Sequence, residues 1–195
     1  KLVRQSINNL NHNTNSIIKY LNISQKDISI TTLPMSYVYG LSIINTHLCQ
    51  GATVVLNNKS VIEKEFWNKL QKNKVTNFGG VPYTYSILEK IKLKNFNLSS
   101  LKYTTQAGGK INKEITKSIL SEYNSLGIKL YLMYGAAEAT ARMSYLPWEN
   151  IEEKIQSIGK AIPGGKFRLE DLEGKIIKTI NTHGELIYTG NNVCM

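Results

Sequence analysis

Apolar residues along this chain switch repeatedly between strand spacing and helical spacing. After Tyr39-Gly40, "SIINTHLCQ" reads as helix and "ATVVL", residues 52–56, as a short buried strand. In "VIEKEFWNKLQKNK" the positions Ile62, Phe66 and Leu70 recur at helical spacing, with Glu63 and Glu65 ahead of Lys69 and Lys72 as the helix dipole prefers. The cycle repeats. "VTNFGG" is strand-like, Pro82 opens a helix whose apolar face carries Leu88 and Ile91, and "LKYTTQA" is strand-like again. After Gly108-Gly109, the positions Ile111, Ile115, Ile119, Tyr123 and Leu126 mark an amphipathic helix closed by Gly127, and "IKLYLMY" is the next strand. Such alternation predicts the α/β class, a mainly parallel sheet flanked by helices on both faces.

From about Ile158 the texture changes. "SIGKAIPGG", "KFRLEDLEGKII" and "GELIYTG" are short β-like segments separated by Gly-rich or acidic turns, without a helical period. This predicts an α/β subdomain over residues 1–148 and, over 149–195, the start of a small β-rich module, with "ENIEEKIQS" as the connection.

Composition narrows the function classes. The formal charge is +10, from 24 Lys and Arg against 14 Asp and Glu. The lysines are scattered, without a run of five, and no RNA or DNA motif accompanies them, so a solvated basic surface is favoured over nucleic-acid binding. Cys49 and Cys194 are far apart and outside any CxxC spacing, which indicates neither a disulfide framework nor a zinc site; Cys49, among apolar residues, reads as core. His12, His47 and His183 are isolated from one another, and no metal site built on them is expected. No apolar stretch reaches the length of a membrane span, and the start, "KLVRQSINNLNHN", lacks the apolar core of a signal peptide, so a cytoplasmic location is expected.

In a doubly wound sheet, ligands bind beyond the carboxyl ends of the strands. Two Gly-bearing loops fall at such ends: Ala107-Gly108-Gly109-Lys110 after "LKYTTQ", and Tyr134-Gly135-Ala136-Ala137-Glu138 after "KLYLM". Glycine lets a ligand approach the backbone, an aromatic ring stacks on a flat base, and a carboxylate holds a hard cation such as magnesium. Together they suit a nucleotide, although each feature alone also occurs in ordinary turns and cores. Neither GxGxxG nor GxxxxGKS occurs, which argues against the ordinary dinucleotide and P-loop folds.

"YGAAEAT" resembles the YGxTE motif of the adenylate-forming (acyl-activating, AMP-binding) enzyme superfamily. Other segments agree in order and spacing. "TTLPMSYVYGLSIINTHLCQGATVVL" resembles the stretch that places an aromatic or His in the acid pocket, and "VTNFGGVPYTYSIL" the VP segment that follows it. "TQAGGKI" is similar to the loop that backs the adenine, and "SIGKAIPGGKFRLED" with "HGELIYTGNNVCM" to the entry of the small distorted β-barrel. Within the superfamily, "EATARMSYLP" looks most like bacterial acyl-CoA synthetase-like proteins.

The resemblance implies a ligase that joins a carboxylic acid to ATP as an acyl-adenylate and then passes the acyl group to coenzyme A or a pantetheine thiol, with an acyl carrier protein as an alternative acceptor. It implies that Tyr134, with Gly135 beside it, stacks on adenine, and that Gly108, Gly109 and Lys110 line the opposite side. Glu138 would hold magnesium on the phosphates, and Tyr37 and Tyr39 would occupy the acid-pocket position, where simple core packing is the competing reading. One departure is Ala137, which stands where the family has Thr. A hydroxyl expected to hydrogen-bond the α-phosphate is thereby lost, in a position where such donors are worth a few kcal/mol in a transition state. The other is that Lys1 reads as the last residue of the phosphate loop, while the ribose-binding Asp and the catalytic Lys would lie downstream of Met195. The chain thus reads as the centre of a longer enzyme, inactive in isolation. A degenerate nucleotide- or acyl-binding relative without turnover, and an unrelated nucleotide-binding oxidoreductase, are the alternatives.

Overall fold

A computed structural model describes residues 2–195. Its centre is a seven-stranded sheet in the order β2-β1-β3-β4-β5-β6-β7. Strands β1 (Ile28–Ile30), β2 (Thr53–Val55), β3 (Asn77–Gly80), β4 (Tyr103–Gln106) and β5 (Lys129–Tyr134) run parallel. β6 (Ser144–Leu146) and β7 (Lys160–Ala161) add on antiparallel. The central strands β3 and β4 are buried at every position, as parallel strands covered on both faces must be.

The pleat divides β5 between two cores. Leu130 and Leu132 face the larger one, where they meet Phe66, Trp67 and Leu70 of α3 (Lys64–Lys72), Tyr85 and Leu88 of α4 (Pro82–Leu88), and Ile119 and Tyr123 of α5 (Lys113–Leu126). Tyr131 and Met133 face the other side, toward α1 (Ile7–Leu21) and α2 (Val38–Cys49). Helices thus cover both faces, as the alternation of periods predicted. The strong amphipathy of α5 is framed by Asn112, whose side chain accepts the amides of Glu114 and Ile115, and by Gly127 at φ +70°.

Several local expectations need correction. Ile62 is 69% exposed and precedes the helix; the core position belongs to Val61, and the helix adds Trp67, which the spacing did not single out. Ile111 and Ile91 pack on the core from outside α5 and α4. Cys49 is exposed at the end of α2 rather than buried. The opening helix α1 and strand β1 add to the elements predicted from the sequence. α1 is poor in strong helix formers but is capped by Ser6, whose hydroxyl accepts the amide of Asn9, and it buries Ile17 and Leu21.

Beyond the large sheet, which continues past residue 149 to β7, a second sheet forms. β8 (Gly165–Glu170) pairs antiparallel with both β10 (Glu185–Gly190) and β9 (Ile176–Ile177). Among the described residues, no helix is long and apolar enough to cross a membrane.

Candidate functional site

A cleft of about 610 Å³ opens at the carboxyl ends of β4 and β5. Its walls include Tyr37, Gly108, Gly109 and Lys110 from one side and Met133, Tyr134 and Gly135 from the other, with Gln156 to Ile158 completing the rim. The two loops singled out from the sequence therefore do meet across one opening. Tyr134 is 40% exposed, so its ring stands at the sheet edge and not in the core.

Each wall has a local cause. The first loop is held by Gln106, a buried residue whose amide nitrogen donates to the carbonyls of Ala107 and Gly109 at 3.2 and 2.9 Å. Gly108 adopts φ +82°, and a Cβ there would meet the hydroxyl of Tyr37 at 2.5 Å, so only glycine lets the Tyr37 ring lie against this loop. Tyr37 itself precedes α2 in extended conformation, its amide bonded to the Pro34 carbonyl.

The second loop is a tight return from β5 to β6. Met143 N donates to Tyr134 O at 2.9 Å, and Gly135 lies so near the returning chain that a Cβ would stand 2.0 Å from the Ala141 carbonyl oxygen. Ala137, Glu138 and Ala139 form a single helical turn. It is secured by Gln5, which donates to Ala137 O at 2.6 Å, and by the Cys194 amide, which donates to Glu138 O at 2.7 Å. Thr140 follows with φ 68° and ψ −54°, closing an i to i+2 bond from Ala141 N to Ala139 O at 2.8 Å. A γ-turn of this hand is strained, doubly so for a β-branched residue, and needs outside support. Asn192 supplies it: its carbonyl accepts the Thr140 hydroxyl at 2.7 Å, and its side-chain amide donates to Ala139 O and Arg142 O.

The sequence-derived residues thus sort into three groups. Gly108, Gly109, Lys110, Tyr134, Gly135 and Tyr37 line the cleft. Glu138 is exposed and Ala137 partly buried on the turn that directly follows Tyr134 and Gly135, outside the cleft lining itself. Tyr39 is separate: it is 1% exposed, its hydroxyl bonds to Thr105, and Arg142 lies 4.0 Å over its ring. Core packing therefore accounts for Tyr39, whose burial also pushes its phenol pKa up. Lys1 lies outside the described residues.

Sequence reasoning missed Gln106, Asn192 and Arg142, which support the loops from behind. Nothing in their spacing marks them, since each acts on residues distant in sequence or on backbone carbonyls. His47 is buried with both ring nitrogens bonded, to Ile43 O at 2.8 Å and to Asn77 at 3.0 Å, and burial lowers its pKa. Cys49 and Cys194 are both free thiols.

Among the described residues, no group of three or more His, Cys, Asp or Glu could hold a metal ion. One exposed carboxylate, Glu138, does suit magnesium that arrives on phosphate oxygens, because that ion commonly takes only one or two protein carboxylates and keeps its remaining ligands from water and substrate.

Comparison with known proteins agrees with this geometry. A family model described as AMP-binding enzyme matches residues 1–195. The chain is similar to acyl-CoA ligase sidI of Aspergillus fumigatus, 27% identical over 188 residues that make up 93% of this chain and 31% of that protein. It is 28% identical over 193 residues to 2-succinylbenzoate--CoA ligase of Bacillus pumilus, covering 99% of this chain and 38% of that one. Among solved structures, o-succinylbenzoate CoA synthetase from Bacillus subtilis, in complex with its acyl-adenylate intermediate, matches with a TM-score of 0.85 at 25% identity, over 98% of this chain and 38% of the other. The chain spans about a third of the length of the curated relatives it matches.

Proposed function

We propose, from the premise that this chain belongs to the AMP-binding enzyme family, that it forms the nucleotide-binding centre of an ATP-dependent acid–thiol ligase. The observation that carries this reading is the cleft itself, in which the Tyr134 ring and the Gly108–Gly109 backbone face one opening at the carboxyl ends of parallel strands. Adenine lies between them, stacked on Tyr134, with Gly135 and Lys110 at its margins. Tyr37, on the cleft wall against Gly108, borders the acid.

The reaction begins with attack of a carboxylate oxygen on the α-phosphorus. The bond from phosphorus to the bridging oxygen breaks, and pyrophosphate leaves with the electron pair. A thiol, of coenzyme A or a pantetheine arm, then displaces AMP from the acyl carbon. Magnesium, when bound, neutralises phosphate charge; Glu138 is the residue of this chain that would hold it. The residues described here bind and orient: a stacked base and a fixed glycine loop hold the α-phosphate within reach of the acid. Ala137, on the turn beside the cleft, offers no hydroxyl to that phosphate where the family motif implies Thr, so this turn would contribute less transition-state stabilisation.

The isolated 195-residue chain is expected to bind AMP yet form no acyl-adenylate, because it spans only about a third of the ligases it resembles. The test is AMP titration of the chain, followed by fluorescence of Tyr134-containing and Tyr134→Ala protein, alongside pyrophosphate exchange with fatty, aryl and amino acids. Saturable AMP binding that the Tyr134→Ala change weakens, with exchange at background, is the expected result. Absence of AMP binding to both this chain and the whole protein that carries it would overturn the reading.

A further inference from the structure

Behind Met133 lies a much smaller pocket. It holds only about 10 Å³ of free space, room for a single water. It sits between α1, α2 and the sheet, and its walls include Thr46, His47, Asn77, Tyr103, Thr105 and Arg142. Met133 lines both this pocket and the nucleotide cleft, so it lies between them.

Most polar groups here are satisfied internally. Thr46 donates to Ile43 O, His47 bonds to Asn77, and Thr105 bonds to Tyr39. Two are not. The hydroxyl of Tyr103, a residue 6% exposed, has no hydrogen-bond partner. Arg142, 2% exposed, has no carboxylate of the described residues within ion-pair distance. A guanidinium carries five N–H donors. Arg142 places one at 3.3 Å from Ala141 O and its Nε at 3.4 Å from the Met133 sulfur. Tyr20 donates to that same sulfur at 2.9 Å. A thioether is a weak acceptor, and here two donors converge on one, while the guanidinium has the face of the Tyr39 ring, 4.0 Å away, in place of a carboxylate.

Sulfur thus occupies the place that an anionic oxygen would fill better, and it does so on the most flexible apolar side chain, the one that separates this charge from the cleft. We propose that Arg142, with Tyr20 and Tyr103, receives a second carboxylate of the acid once Met133 swings aside, so that the site activates a short dicarboxylic acid in preference to a fatty acid. This rests on the ligase reading of the cleft. In the reaction one carboxylate of the acid attacks the α-phosphorus and pyrophosphate leaves; the other stays ionised on Arg142 and is not consumed. The acid must be short, because one methionine side chain spans the partition.

The experiment measures binding first and turnover second, on the whole protein that carries this chain. Calorimetric titration with succinate and glutarate is compared with butyrate and pentanoate, for wild type, Arg142→Met, Arg142→Lys and Tyr103→Phe. Expected is a preference of about tenfold or more for the dicarboxylates, abolished in Arg142→Met, partly retained in Arg142→Lys, and reduced severalfold in Tyr103→Phe with monocarboxylate affinity unchanged. AMP affinity of each variant reports whether it has folded; should Arg142→Met fail that check, the Lys and Phe variants decide. Equal affinity for the two acid classes in wild type, or a preference indifferent to all the substitutions, overturns the proposal. Pyrophosphate release with ATP separates the two readings: Arg142-dependent binding without release would refute the ligase reading and leave the anion site standing, whereas release driven equally by butyrate would refute the dicarboxylate site alone.

Discussion

Replacing Gly135 by alanine tests the loop architecture most directly. The added Cβ would lie 2.0 Å from Ala141 O, 2.8 Å from the Ala141 carbonyl carbon and 2.9 Å from Arg142 Cα. All three are backbone atoms, so no side chain can rotate away, and ordinary contact requires a displacement on the order of 1 Å. The returning chain resists it through the Met143-to-Tyr134 bond, the γ-turn at Thr140, and the Asn192 side chain on Ala139 O and Arg142 O. Overpacking costs typically about 1–3 kcal/mol and more where both partners are fixed, so we expect about 3 kcal/mol, or a fall in melting temperature of about 6–12 °C for a chain of this size. Gly127→Ala is the internal control: it has φ +70° but nothing within 4 Å of the added methyl, which leaves only the left-handed backbone penalty of about 1–2 kcal/mol. Thermal denaturation followed by circular dichroism, with AMP titration of each variant, gives both readouts. A Gly135→Ala protein as stable as wild type, or more stable than Gly127→Ala, would refute the reasoning.

Four further outcomes are expected. Ala137→Thr, in the whole protein, should raise the adenylation rate about tenfold or more with the acid KM nearly unchanged, since the new hydroxyl meets charge developing on phosphorus and not the acid; a rate equal or slower would disprove the role assigned to this position. Tyr134→Ala should weaken AMP binding by roughly tenfold to a hundredfold, as stacking contacts worth about 1–3 kcal/mol do, read by calorimetry. Asp27 is pushed up by burial, but the bonds from Lys102 and from the Ser24 amide and hydroxyl outweigh this and hold its carboxyl below the usual range. Its stabilising contribution is therefore complete above the ordinary carboxylate pKa of about 4 and lost as pH falls through the lower folded value; acid denaturation curves of Asp27→Asn should lack that component. His47, whose pKa burial lowers, should stay neutral on acidification below its ordinary midpoint of about 6.5, which its NMR titration checks.

The parallel sheet and the meeting of the two glycine loops were legible because both depend on short-range pattern. Val and Ile runs, Gly127 after a helical stripe, and Tyr134-Gly135 after an apolar strand each fix a local conformation whose geometry then follows from the handedness of strand–helix–strand units. What was not legible depends on partners far along the chain. Asn13 and Asn192 look like surface residues, yet both are buried, each donating to Arg142 O from opposite ends of the sequence. α1 escaped notice because its asparagines mask an apolar stripe that needs the sheet to be useful. Tyr39 and Tyr37 stand two residues apart and look alike in sequence, but α2 begins between them and turns one into the core and the other onto the cleft.

The chain's last residues also have a consequence beyond bracing. Asn192 and the Cys194 amide hold the turn at 137–142, while Asn9 of α1 donates to the carbonyls of Asn191 and Val193. The opening helix, the turn after Tyr134 and the segment leaving β10 are thereby joined in one hydrogen-bonded network. A ligand that steadies the turn must slow amide exchange at residues 191–194 as well, and by thermodynamic reciprocity any event that displaces that segment lowers affinity at the cleft by the same factor.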